Sequence, residues 1–126
     1  MGIDVEQFRD GAARWIQEHR ADAPRDYGAI LPPALADEGR RWQRALFEAG
    51  YAGIHWPTEF GGQGLTPEHQ AAWITECALG QVPPFLNMVG CVLTGSALLA
   101  FGTDEQQRQY LRPILTREDI WCQLFS

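Results

Sequence analysis

The stretch from Phe85 to Phe101 reads FLNMVGCVLTGSALLAF and contains no charged side chain. Pro84 before it and Gly102 after it are typical of the start and the end of a helix. A helix that is apolar on nearly all sides has to be covered by protein on most of them. The sequence therefore predicts a central helix here, with small residues that let neighbouring helices approach closely or leave room for a ligand: Gly90, Gly95, Ser96 and Ala97.

Helical periodicity continues on both sides of this stretch. Asp4 is a predicted N-cap for a helix that runs to about Arg20, and a second helix runs from about Pro33 to Ala49 with Gly50 as its stop. Thr66 to Gly80 form a third, and the segment Thr103–Gln106 is a capping box that opens another. We therefore expect an all-α bundle of five to six helices.

The segment from Tyr51 to Leu65 is irregular and rich in glycine, with Gly61, Gly62 and Gly64 close together. Glycines in such a cluster allow positive φ angles or a close approach of the backbone to another group. Their spacing matches neither of the glycine patterns that cradle phosphates. We interpret the segment as a tight structural connection with aromatic side chains at its ends, in preference to a ligand loop.

The last stretch, Ile120 to Ser126, is rich in β-branched and aromatic residues and has the pattern of a strand. A strand needs a neighbour for its backbone groups, and no other segment of the sequence reads convincingly as one. We therefore expect residues 1–119 to form the helical domain, residues 120–126 to begin a β-domain, and the chain to be the front part of a longer protein.

Charge and composition exclude several classes of function. The net charge of −6 and the scattered positions of the arginines disfavour nucleic acid and anionic membranes as partners. Cys77, Cys91 and Cys122 have neither disulfide nor metal-ligand spacing, so we predict no metal site. There is no secretory signal and no plausible membrane span, which favours a cytoplasmic protein. His19, His55 and His69 are interpreted as surface histidines.

Four motifs in order resemble the N-terminal helical domain of the acyl-CoA dehydrogenases. They are the segments Leu46–Tyr51, Trp56–Gly64, Phe101–Ile114 and Trp121–Ser126, and the resemblance covers nearly the whole chain. It implies an enzyme with this helical domain, a middle β-domain and a C-terminal helical bundle. FAD would take a hydride from Cβ of an acyl-CoA thioester while a carboxylate removes the α-proton.

The resemblance also implies roles for particular residues. The terminal segment matches the start of a flavin-contacting strand, which makes Gln123, Leu124, Phe125 and Ser126 the expected FAD contacts. The helix equivalent to Phe85–Phe101 helps to build the acyl pocket, and Leu86, Val89, Gly90 and Leu93 would share one face of it. Packing against neighbouring helices is an equally good explanation for these four residues.

No catalytic residue is assigned, because the resemblance places the base in the C-terminal bundle. The implied partners are an acyl-CoA substrate, an electron-transfer acceptor and further subunits in a homo- or hetero-oligomer, and these residues alone are expected to be inactive. Two alternatives stay open: a non-enzymatic helical binding module on the same scaffold, and a related acyl-CoA oxidase or flavin monooxygenase.

Overall fold

The computed structural model describes residues 3–28, 30–87, 89–116 and 118–120. Within these residues the chain forms five α-helices and no β-strand, so the predicted all-α class is confirmed. We number the helices α1 to α5: Val5–His19, Ala36–Ala49, Pro67–Gly80, Gly95–Phe101 and Asp104–Thr116. Three short 3-10 turns, Arg20–Asp22, Pro33–Leu35 and Thr58–Phe60, and a π-helix, Val89–Thr94, lie between them.

The predicted helix ends are confirmed where capping chemistry defines them. The Asp4 carboxylate accepts a hydrogen bond from the backbone N–H of Gln7 at 2.9 Å. Gly50 ends α2 with a φ of 88°, a conformation that costs glycine little. Before α5, the Thr103 and Gln106 side chains bond each other's backbone N–H groups, so the capping box is present.

The prediction for His69 was wrong, because this side chain is buried at the start of α3. Its Nδ1 accepts a hydrogen bond from the backbone N–H of Thr66 at 3.3 Å, which completes a capping box that usually contains Glu or Gln. With Nδ1 as an acceptor, Nε2 carries the proton and donates to the Ile3 carbonyl at 2.7 Å. The histidine thereby joins α3 to the residues that precede α1.

The helices pack in two groups around one core. Helix α1 lies along α3, and α5 lies against both α2 and α4. Four aromatic side chains join these groups, with Trp15 in ring contact with Trp42, Tyr51 and Trp73. Tyr51 stacks on Trp73 with ring centroids 4.3 Å apart and planes 5° from parallel. Aromatic surface of this kind contributes much of the burial that stabilises a small domain.

The glycine-rich connection is a closed loop, as the structural interpretation predicted. Backbone N–H groups of Gln63, Gly64 and Leu65 donate to the carbonyls of Gly53, Trp56 and Ile54, which ties the end of the loop to its start. The Trp56 side chain is buried in the core. Gly62 lies close to the backbone of Trp56, so a Cβ added at Gly62 would sit 2.3 Å from the Trp56 carbonyl oxygen. The close approach explains why this position is glycine.

The expected central helix from Phe85 to Phe101 is wrong in extent and in burial. Residues 85–87 are irregular, a π-helix follows from Val89, and α4 is confined to Gly95–Phe101. One side of this segment lies open to solvent, with Leu93 46% and Phe101 90% exposed. The absence of charge indicated a buried helix, but within the described residues α4 packs mainly against the π-helix and α5 and leaves Phe101 exposed.

The predicted terminal strand lies almost wholly outside the described residues, and Ile120 is exposed and has no regular structure. The division of the chain at residue 119 therefore stays a prediction. No helix in the described part of the chain has the length and apolar character needed to cross a bilayer.

Replacing Gly62 tests the close packing of the loop on Trp56. We expect Gly62→Ala to lower the free energy of unfolding by about 2 kcal/mol, since the added methyl group meets backbone atoms that cannot move aside cheaply. Urea unfolding followed by circular dichroism measures the change.

Gly28→Ala is the matched control, because a Cβ at Gly28 has nothing within 4 Å. We expect this variant to be neutral or slightly more stable than the parent, by up to about 1 kcal/mol. Equal destabilisation by both substitutions would contradict the packing that we describe for Gly62.

Candidate functional site

Two tryptophans hold the irregular segment that connects α3 to the π-helix. The Trp42 indole N–H donates to the Pro83 carbonyl at 2.9 Å, and the Trp73 indole N–H donates to the Pro84 carbonyl at 3.0 Å. Proline has no N–H, so these two residues cannot donate to a backbone ladder, while their carbonyls still need partners. The tryptophans, from α2 and α3, supply them.

Two buried amide side chains, Gln43 and Asn87, fix the same segment to α5. Gln43 accepts from the Leu86 N–H and donates to the Leu115 carbonyl, each at 2.9 Å. The Asn87 amide donates to the carbonyls of Ile114 at 3.1 Å and Asp119 at 2.8 Å. We call these two residues the amide clamp. Because a buried amide without partners costs about 1–3 kcal/mol, the clamp strongly favours this single arrangement of the segment.

Glycines on the inner side of the π-helix allow it to lie directly on the core. A Cβ at Gly90 would meet the Asn87 amide at 2.7 Å, and a Cβ at Gly95 would meet the Trp56 ring at 2.3 Å. Gly90 lies in the π-helix and Gly95 is the first residue of α4; their separation of five residues matches the hydrogen-bond spacing of a π-helix. With the inner side fixed in this way, Cys91 and Ser96, also five residues apart, both reach the cleft described next.

A cleft of about 240 Å³ lies between the glycine-rich loop, α3 and the π-helix–α4 segment. We call it the apolar cleft. In the part of the chain that the structure describes, its lining includes no carboxylate and no guanidinium. The residues are Gln43, Tyr51, Ala52, Gly53, His55, Trp56, Gln70, Ile74, Phe85, Cys91, Val92, Ser96 and Leu115. A mostly apolar concave site with a few polar groups is the usual form of a small-molecule site.

Burial favours the neutral forms of two ionisable side chains of the cleft, Cys91 and Tyr51. It raises the pKa of the Cys91 thiol to about 12, which excludes a thiolate nucleophile at neutral pH. Burial also raises the pKa of the Tyr51 phenol, an effect that the nearby Arg14 charge partly offsets. Cys91 and Tyr51 therefore contribute shape and largely apolar surface to the lining.

A larger, more open groove of about 550 Å³ lies beside Arg20 and Arg25. Helices α1 and α3 both end there, so the partial negative charge of their last carbonyl groups offsets the positive charges of the two arginines. The carboxylate of Asp26 offsets them further. Arg25 also donates to the carbonyl of Arg20. The groove is therefore less suited to a specific anion than its arginines suggest.

The four residues predicted to bind substrate do not line the apolar cleft together. Leu86 packs against the core, Gly90 faces Asn87, and Leu93 is half exposed. The side chain of Val89 lies outside the described part of the structure. The neighbouring residues Phe85, Cys91, Val92 and Ser96 line the cleft instead. Sequence reasoning named Ser96 as a small residue that could leave room for a ligand and missed the other three. The role of the predicted four in binding stays a prediction.

The predicted flavin contacts, Gln123 to Ser126, lie outside the described residues. The Asn87 side chain of the amide clamp donates to the Asp119 carbonyl and so fixes the chain shortly after the end of α5. Among the residues that the structure describes, no group of three or more His, Cys, Asp or Glu side chains is placed to hold a metal ion.

The sequence matches the family model described as acyl-CoA dehydrogenase, N-terminal domain, over residues 4–118. The chain belongs to this family. The match spans all five helices, so the resemblance seen in the motifs is confirmed over the whole described fold.

Curated relatives agree with this assignment. Acyl-CoA dehydrogenase IpdE1 of Mycobacterium tuberculosis is 35% identical over 98% of this chain, and IpdE1 of Mycolicibacterium smegmatis is 32% identical over 98%. The chain covers 33% of the length of each. It therefore corresponds to about a third of these relatives.

Solved structures share the fold. A protein titled Tcur3481-Tcur3483 steroid ACAD superposes with a TM-score of 0.67 at 23% identity, covering 92% of this chain and 29% of that one. The ChsE4-ChsE5 complex from Mycobacterium tuberculosis gives 0.66 at 21% identity, over 92% and 30%. At these identities the likeness supports the fold alone.

The reactivity of Cys91 tests whether its thiol is desolvated in the cleft. In a variant with Cys77→Ala and Cys122→Ser, Cys91 is the remaining thiol. With a pKa of about 12 in place of the usual value near 8.5, the folded protein at pH 8 should hold roughly a thousandfold less thiolate than the unfolded chain. We expect alkylation by iodoacetamide, followed by mass spectrometry, to be slowed by about that factor in the folded protein. Similar rates in buffer and in urea would contradict a desolvated thiol.

Proposed function

We propose that this chain forms the N-terminal part of an FAD-dependent acyl-CoA dehydrogenase and that the apolar cleft helps to enclose the acyl group. The family match over residues 4–118 is the observation that carries this proposal. The relatives that align with 98% of the chain are named acyl-CoA dehydrogenases, and their names support the same class of reaction for this chain.

The chemistry of the cleft suits this role. An acyl chain is uncharged and apolar, and the cleft offers apolar walls from Trp56, Ile74 and Phe85. No carboxylate or guanidinium is found among its described lining residues. Each buried CH₂ group contributes about 0.8 kcal/mol to binding. Exclusion of water from the acyl group would also protect the reacting carbons from side reactions.

FAD, when bound, would supply the acceptor for the hydride that leaves Cβ. In our proposal Gln123, Leu124, Phe125 and Ser126 contribute backbone and hydroxyl contacts to the flavin, and the catalytic base comes from a later part of the full-length enzyme. These 126 residues alone would then bind substrate without oxidising it. A cytoplasmic location, a separate electron-transfer acceptor and a homo- or hetero-oligomeric assembly belong to the same proposal.

Blocking the cleft tests whether it binds the acyl group. We expect octanoyl-CoA to bind more tightly than CoA, and Val92→Trp to reduce that advantage at least about tenfold, because the indole would fill the space of several CH₂ groups. Val92 is 43% exposed, so the larger side chain should not disturb folding. Isothermal titration calorimetry with both ligands measures the difference.

Leu93→Trp is the matched control, since Leu93 is similarly exposed and adjacent in sequence but absent from the cleft lining. It should leave the preference for octanoyl-CoA unchanged. If Leu93→Trp blocks binding and Val92→Trp does not, the acyl group lies on the face predicted from sequence. If octanoyl-CoA and CoA bind equally, the non-enzymatic binding module becomes the better explanation.

A further inference from the structure

Three polar side chains at the apolar cleft have no hydrogen-bonding partner of their own. His55 on the glycine-rich loop, Gln70 on α3 and Ser96 on α4 all line the cleft. In the described structure, no hydrogen bond joins any of these three side chains to another protein group. His55 and Ser96 are exposed and Gln70 is partly so, which means that water satisfies them when the cleft is empty.

Gln43 lines the same cleft but differs from these three side chains in its hydrogen bonding. Both ends of the Gln43 amide are bonded to backbone groups, so it needs nothing from a ligand. His55, Gln70 and Ser96 would lose their water when a ligand covers them. A purely hydrocarbon ligand would leave these groups unpaired, which is costly, whereas a ligand oxygen would replace the lost hydrogen bonds.

The size and charge of the cleft limit what this ligand is. At about 240 Å³ the cleft is small, so the part of a ligand that it holds is compact. Among the lining residues that the structure describes there is no Lys or Arg to pair with a carboxylate. The oxygen that suits it is consequently neutral, as in a hydroxyl or a carbonyl group.

We propose that the cleft selects a compact acyl group that carries a hydroxyl or carbonyl oxygen, and that His55, Gln70 and Ser96 determine this preference by hydrogen bonding to it. This inference rests on the proposed acyl-binding function. It adds a neutral oxygen on the acyl group, which neither the family description nor the names of the curated relatives specify.

A ligand series that differs by one oxygen tests the proposal. The chain is titrated with CoA, octanoyl-CoA and the 5-, 6-, 7- and 8-hydroxyoctanoyl-CoA thioesters, since the depth of the polar groups along the acyl chain decides which position fits. We expect the best hydroxylated isomer to bind about fivefold more tightly than octanoyl-CoA, the gain typical of one new hydrogen bond.

Variants then assign the preference to the three side chains. The combined substitutions His55→Leu, Gln70→Met and Ser96→Ala should bring the hydroxylated isomer to within about twofold of octanoyl-CoA, while octanoyl-CoA itself binds at least as well as before. Ser96→Ala alone is the milder variant and should reduce the preference partly. Thr75→Ala is the control, because it removes a hydroxyl from α3 that bonds to Ala71 and lies outside the cleft lining.

The outcomes separate this inference from the function on which it rests. If octanoyl-CoA binds more tightly than CoA but no hydroxylated isomer exceeds it, the acyl site stands and the inference is overturned. A preference that survives the combined substitutions also overturns it. If no thioester binds more tightly than CoA, the proposed function itself fails.

Discussion

The arrangement of this domain depends on two buried amides. Gln43 and Asn87 use their side chains to bind backbone groups at the end of α5 and in the segment before the π-helix, at positions that no backbone ladder reaches. A buried amide is stable only when it is bonded, so each of these contacts excludes alternative paths for the chain. The indole N–H groups of Trp42 and Trp73 add two further fixed points on the prolines.

The clamp decides which residues reach the apolar cleft. With the segment before the π-helix held against α5, the helix begins only at Val89, and Gly90 and Gly95 bring its inner side onto Asn87 and Trp56. The π-helix then presents Cys91 and Val92 to the cleft, and the first turn of α4 presents Ser96. The bonded amides inside the hydrophobic core thereby fix the backbone that forms one wall of the apolar cleft.

Features that local chemistry determines could be predicted from the sequence. The caps at Asp4 and Thr103, the stop at Gly50 and the structural role of the glycine-rich loop follow from short-range rules. The cleft residues could not be predicted, because an assumed period of 3.6 residues placed Leu86 and Leu93 on one face. The π-helix depends on contacts of Gly90 and Gly95 with distant residues, and the burial of His69 depends on the chain near Ile3. In the sequence, the two glycines Gly90 and Gly95 were the available indication of the π-helix.

The exchange of the Leu86 amide hydrogen tests the clamp most directly, since its acceptor is the Gln43 side chain and no helix protects it. In hydrogen exchange followed by NMR, this amide should exchange at least about a hundredfold more slowly than an open amide. Gln43→Met should remove that protection while the amides of α1 and α3 keep theirs. Fast exchange of Leu86 in the parent protein, or protection that persists in Gln43→Met, would show that the clamp does not hold this segment.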